Sequence, residues 1–134
     1  PPLAWCFIRN FLPSALTLVL PKSDLVPAII TNGGNSVAIR IPNHPVPVAL
    51  IKGLAEPIVG TSANLSGRSS PLTADEVYAQ LGDKIDLIID GGRCPGGTES
   101  TIVDVTRETP VIRREGAISR EELQRVYGSV LTKC

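Results

Sequence analysis

At 134 residues the chain fits one domain, and its 43% apolar and 19% charged content is ordinary for a soluble globular protein. Thirteen Lys and Arg against thirteen Asp and Glu leave no net charge, so the total offers no long-range field for nucleic acid, and no apolar run approaches the roughly 18 residues of a membrane span. Cys6, Cys94 and Cys134 stand far apart, in no Cys-x-x-Cys or Cys/His spacing, so neither a zinc site nor a disulfide framework is indicated and a reducing cytoplasm is expected. The chain begins Pro1-Pro2-Leu3 and contains no Met, which reads as a piece cut from something longer.

Leu3 to Leu12 carries a helical apolar stripe ended by Pro13, and Leu16 to Leu20 alternates as a buried strand does. Val37 to Ile41 is a second strand stopped by Pro42; Val37, Ile39 and Ile41 share one face, Ala38 and Arg40 the other. Val46 to Leu54 reads as a helix with Pro47 in its first turn, and Pro57 to Thr61 as the next strand. Thr73-Ala74-Asp75-Glu76 is a capping box opening a helix from Ala74 to about Leu81. Leu87 to Ile89 reads as a short strand closed by Asp90-Gly91-Gly92. After a loop from Cys94 to Glu99 come strands at Thr101 to Val105 and Pro110 to Arg114. A second capping box at Ser119 to Glu122 then starts an amphipathic helix through Leu123, Val126, Tyr127 and Val130.

Several of these segments end in polar groups. The strand at 57–61 breaks into Thr61, Ser62, Asn64, Ser66 and Gly67, which is either a ligand-facing edge or an ordinary turn. Arg40 stands among apolar neighbours, where a guanidinium needs an anion, a protein carboxylate or exposure at a sheet edge. Arg113 and Arg114 end a strand, and alternation sends one to each face, one of them into the cleft. His44, the sole histidine, lies between Pro42 and Pro45 with no nucleophile pattern beside it and reads as a capping or packing residue. Gly91-Gly92 and Gly96-Gly97 would let backbone N–H groups approach an anion, yet neither a Walker nor a Rossmann pattern surrounds them.

Taken in order, five segments resemble the YrdC domain of the threonylcarbamoyl-AMP synthase family: Phe11 to Leu20, Val37 to Pro45, Thr61 to Gly67, Asp90 to Gly92 with Ser100 to Asp104, and Ile112 to Ile118. The resemblance implies a twisted, open, mixed α/β sheet flanked by helices, one domain over residues 1–134 that lacks its N-terminal part, and a concave face that forms the cleft. It implies a nucleotidyltransferase that condenses L-threonine, bicarbonate and ATP, with Mg²⁺ expected, into threonylcarbamoyl-AMP and pyrophosphate, the donor for t6A modification of tRNA by a downstream transferase complex in the cytoplasm. Carried over residue by residue, Arg40, Ser62 and Ser100 would bind L-threonine, and Ser36, Asn64 and Arg114 would bind ATP; no catalytic residue and no metal ligand is assigned. Such chemistry needs charge-stabilising groups and positioning more than a covalent nucleophile.

The chain departs from the family pattern in three places: the N-terminal Lys-x-Arg motif is absent, Ser14-Ala15 replaces Gly-Pro, and Leu72 stands where a threonine meets the nucleotide. Two other classes compete with the synthase. One is a double-stranded RNA or tRNA-binding module; the other is the carbamoyl-transfer domain of a hydrogenase-maturation protein, which flanking zinc-finger and acylphosphatase segments would mark. Without the Lys-x-Arg motif, residues 1–134 incubated with ATP, bicarbonate and L-threonine are expected to give little product; robust pyrophosphate release would overturn that expectation.

Overall fold

Helix α1, Pro2–Phe11, buries Ala4 and Phe7, three residues apart on one side, and leaves Trp5 exposed on another. The structure, a computed structural model, describes residues 2–95, 98–128 and 132–133, the last two by backbone alone. The chain divides into two compact units, residues 1–53 with 98–134, and residues 54–97.

The first unit is built on a mixed sheet. Its strands are β1 (Leu16–Pro21), β2 (Ser36–Ile39), β3 (Thr101–Asp104), β4 (Val111–Arg114) and the two-residue β5 (Thr132–Lys133), in the order β2-β1-β3-β4-β5. β1 runs antiparallel to β2 and parallel to β3, while β4 runs antiparallel to β3. Register aligns Leu16 with Thr101 and Leu18 with Val103, and Val103 in turn faces Ile112. These side chains are fully buried with Phe7, Val105 and Leu123, so the core lies on the face that meets α1 and α4 (Arg120–Tyr127). The Phe7 ring stands 6.2 Å from Phe11 and 6.1 Å from Tyr127, which ties α1 to α4. On the opposite face Thr17, Val19 and Ile102 are only partly buried.

One strand pair departs from the expected alternation. Ile102 pairs with Arg114 but Val103 pairs with Ile112, so Arg113 is the extra residue of a β-bulge. Arg113 and Arg114 therefore do not divide between the two faces. Arg113 reaches Asp104, and Asp104 shares a face with Ile102, the partner of Arg114.

Helix ends follow their capping chemistry. Ser119 and Glu122 form both halves of a capping box. The final helix stops at Tyr127, because Gly128 takes a left-handed φ of 68° and its N–H closes on the Gln124 carbonyl; Val130, expected within that helix, lies outside the described residues. At Thr73 the hydroxyl accepts from the Glu76 N–H, but the Glu76 carboxylate takes the Leu72 N–H, so the reciprocal half of the expected box falls one residue early. Helix α2, Pro45–Leu54, starts at a proline suited to a first helical turn. Between β1 and β2 lies a 3₁₀ turn, Ala28–Thr31, with no counterpart in the sequence reading.

The second unit holds α3, Ala74–Leu81, and a 3₁₀ turn at Gly82–Lys84. The strands expected at 57–61 and 87–89 do not form: neither segment has a ladder partner among the described residues. An apolar run becomes a strand only when a neighbour takes its backbone groups. Val59 and Leu87 are instead 75% and 74% exposed, and no residue from 54 to 95 is buried. The amide protons of 54–95 are therefore expected to exchange well before those of β1 and β3 in hydrogen-exchange mass spectrometry; equal protection of the two regions would contradict this.

Candidate functional site

The polar groups singled out in the first unit gather on the sheet face away from the core. Thr17 on β1 pairs with Ile102 on β3, and Ile102 with Arg114 on β4, which makes a row across three strands spaced about 4.8 Å apart. Ser100, one residue before β3, shares a hydrogen bond of 2.8 Å with the Thr17 hydroxyl. The Arg114 Nε and Nη2 both donate to the Ser100 carbonyl, at 3.1 and 3.0 Å, and Nη2 also reaches the Ser100 hydroxyl at 3.3 Å. The Arg114 Nη1 contacts the Glu99 carboxylate. Ser100 and Arg114, assigned separately by the sequence reading, thus form one cluster with Thr17 and Glu99, which that reading did not single out.

Ser36 and Arg40 belong to the edge strand β2 and to the position just beyond it. Both are exposed, and alternation puts them opposite Val37 and Ile39, on the face that bears Thr17. Arg40 follows directly on the Leu18–Ile39 pair, at the end of β1 where Thr17 lies. Its Nε donates to the Ser14 carbonyl at 3.1 Å, and its two terminal nitrogens have no partner among the described residues. Exposure at a sheet edge removes the desolvation cost that the sequence alone implied for Arg40, and leaves a guanidinium fork able to receive a carboxylate. His44 accepts the Val46 N–H on Nδ1 at 3.2 Å at the start of α2, the capping role expected of it.

Ser62 and Asn64 lie in the second unit. Ser62 is exposed. Asn64 spends its amide group inside its own loop, donating to the carbonyls of Leu65 at 3.0 Å and Arg68 at 2.9 Å. Its Oδ1 is buried without a donor among the described residues. The same loop is pinned to α3 by Gln80, which accepts from the Leu65 N–H and donates to the Ser69 carbonyl. Gly92, with φ 85°, closes the expected turn by donating to Asp90, whereas Gly96 and Gly97 lie outside the described residues.

Behind the arginine row a second layer of contacts fixes the backbone. The buried Thr101 hydroxyl donates to the Ile118 carbonyl at 2.6 Å and accepts from the N–H groups of Gly116 and Ile118. The Ala117 N–H holds the Glu99 carbonyl at 2.9 Å, and Gly116 packs so close that a Cβ there would stand 2.9 Å from the Ser100 carbonyl oxygen. Asp104 accepts the Thr106 hydroxyl at 2.6 Å and N–H at 2.9 Å, and Arg113 bridges to its other oxygen at 2.8 Å. Burial by itself would raise the Asp104 carboxyl, but the Thr106 and Arg113 hydrogen bonds outweigh it and hold the group below the usual carboxylate range.

Residues 1–116 match the Sua5/YciO/YrdC family model, whose description reads "Telomere recombination". The chain belongs to the Sua5/YciO/YrdC family. Among curated relatives, the threonylcarbamoyl-AMP synthase of Pyrococcus abyssi is 44% identical over 122 residues, 91% of this chain and 36% of the relative. That of Bacillus subtilis is 41% identical over 131 residues, 97% of this chain and 38% of the relative. The chain therefore spans little more than a third of the length of these family members. The crystal structure of P. abyssi Sua5 complexed with L-threonine superposes with a TM-score of 0.92 at 42% identity, over 98% of this chain and 39% of that one. The fold is thus the family's α/β fold, a mixed sheet with flanking helices. Escherichia coli YciO, at 30% identity, gives a TM-score of 0.83 over 92% of this chain and 60% of that one.

Because the folded-state pKa of Asp104 is depressed, its contribution to stability is present above the unfolded carboxylate value and is lost as pH falls through the folded one. Asp104→Asn is expected to cost about 1–3 kcal/mol at neutral pH and to flatten the acid limb below about pH 4. Urea melts across that range check it, and an unchanged acid limb would remove the Asp104 charge from the folding equilibrium.

Proposed function

We propose that this chain carries threonine- and ATP-binding elements of a threonylcarbamoyl-AMP synthase. The observation that supports it most is the 0.92 TM-score against a relative that holds L-threonine, at 42% identity. In this reading the exposed fork of Arg40 takes the threonine carboxylate, and the Ser100 hydroxyl, held by Thr17, orients the amino acid beside it. Ser62 is assigned to threonine as well, on the family pattern. Arg114 meets the nucleotide phosphates and Ser36 the nucleotide from the β2 edge, while Asn64 is assigned to ATP on the family pattern alone.

The reaction suits such groups. The threonine amine attacks bicarbonate carbon and water leaves, giving a carbamate; a carbamate oxygen then attacks the α-phosphorus of ATP and pyrophosphate departs. Each step concentrates anions, so fixed guanidinium and hydroxyl donors lower its barrier by placement and charge stabilisation. Among the described residues no cluster of three or more His, Cys, Asp or Glu could hold a metal, and the two carboxylates beside the arginine row are engaged by Arg113 and Arg114. Mg²⁺ brought in with ATP would neutralise part of the triphosphate charge, a task that asks the protein for one or two carboxylates at most. No helix of the described residues is long and apolar enough to cross a membrane. The product's use in tRNA modification by a cytoplasmic transferase complex is part of the same proposal.

Isothermal titration with L-threonine and ATP tests the reading. Arg40→Ala is expected to weaken L-threonine about tenfold and ATP much less, and Ser100→Ala to weaken threonine severalfold. Equal threonine affinity in wild type and both variants would refute the threonine assignment.

A further inference from the structure

Arg113 and Arg114 each face a carboxylate, and the two pairs are built differently. Asp104, the partner of Arg113, is only 8% exposed and is fixed through three further constraints: its place in β3 and two hydrogen bonds from Thr106. Glu99, the partner of Arg114, has a side chain 61% exposed and touches nothing else among the described residues through its carboxylate. Its backbone is held by the Ala117 N–H, so the side chain can swing without moving the chain. Arg114 does not depend on it for placement. The Nε and Nη2 edge is forked on the Ser100 carbonyl, a neutral acceptor in a fixed backbone, while Nη1 alone meets Glu99.

We propose that Glu99 is a displaceable counter-ion that competes with the nucleotide's phosphates for the Nη1 edge of Arg114. The inference rests on the reading of Arg114 as a phosphate-binding residue. Phosphate oxygens and the Glu99 carboxylate are alike in charge and in the donors they need, so one replaces the other without moving the Arg114 anchor. Glu99 then weakens nucleotide binding by the worth of an exposed ion pair, and it does so only for ligands that carry phosphates. As an affinity-setting residue it acts through Arg114 and touches no reacting atom.

The test measures binding of ATP, and of adenosine as the uncharged control, to residues 1–134 in four forms: wild type, Glu99→Gln, Arg114→Gln and the double variant. Glu99→Gln is expected to tighten ATP about two- to fivefold, the range that exposed ion pairs span, and to leave adenosine unchanged. In the Arg114→Gln background the Glu99 effect should vanish. Glu99→Ala repeats the measurement without an amide able to donate, and thermal melts show whether each variant is folded. If wild type binds ATP no better than adenosine, or Arg114→Gln leaves ATP binding intact, the phosphate role of Arg114 fails and the counter-ion role falls with it. If Arg114→Gln weakens ATP while Glu99→Gln and Glu99→Ala leave it unchanged or weaker, the counter-ion role alone is overturned.

Discussion

The parallel pairing of β1 with β3 is the contact on which the first unit depends, because it joins residues 85 positions apart in the chain, as Leu16 with Thr101. Four residues of each strand stand in register, from Leu16 with Thr101 to Val19 with Asp104. On one face that register stacks Leu16, Leu18 and Val103 into the core; on the other it places Thr17 beside Ser100 and Asp104 next to Val19. Closing so long a loop costs entropy that local contacts cannot recover, so burial along this pair must repay it. A slip of one residue would send the core side chains to the polar face and the polar ones into the core. Core packing and site geometry are thus two sides of a single registration.

Where a segment's own periodicity decides its structure, the sequence was legible. α1, β1, α2, α3 and the start of α4 follow from apolar spacing and capping residues, and β2 keeps Arg40 on the side its alternation requires. The family motifs likewise named Ser100 and Arg114 without showing that they touch. Pairing partners were less legible. Pro57 to Thr61 and Leu87 to Ile89 have strand-like composition, but composition does not supply a neighbouring backbone. Glu99 gave no periodic or motif signal of its own, and Thr17 stood only as one residue of an alternating strand; the fold makes them matter by bringing Thr17 to Ser100 and Glu99 to Arg114. A polar residue adjoining a motif serine is the one cue that pointed toward Glu99.

The electrostatics of the sheet face follow from which acids are fixed and which are loose. A chain with no net charge still presents three guanidiniums there, from Arg40, Arg113 and Arg114, and it balances them unequally. Arg113 is consumed by a shielded carboxylate whose charge the fold needs. Arg40 leans on a neutral carbonyl and Arg114 on a neutral carbonyl plus a solvent-facing acid. The positive character useful to an anionic ligand is therefore local, and total charge is a poor guide to it.

The bulge at Arg113 has a consequence for how this hairpin can change over evolutionary time. Two residues of β4 sit against one interval of β3, so strand length is part of the design rather than padding. Exchanging either arginine alters one side chain. Deleting one residue would remove the bulge, leave a single guanidinium opposite Ile102 where the face now carries two, and shorten the path to the Gly116 turn. Substitutions here are local events, but a codon lost from this hairpin is a change of frame for the whole face, so length should be guarded more strictly than identity.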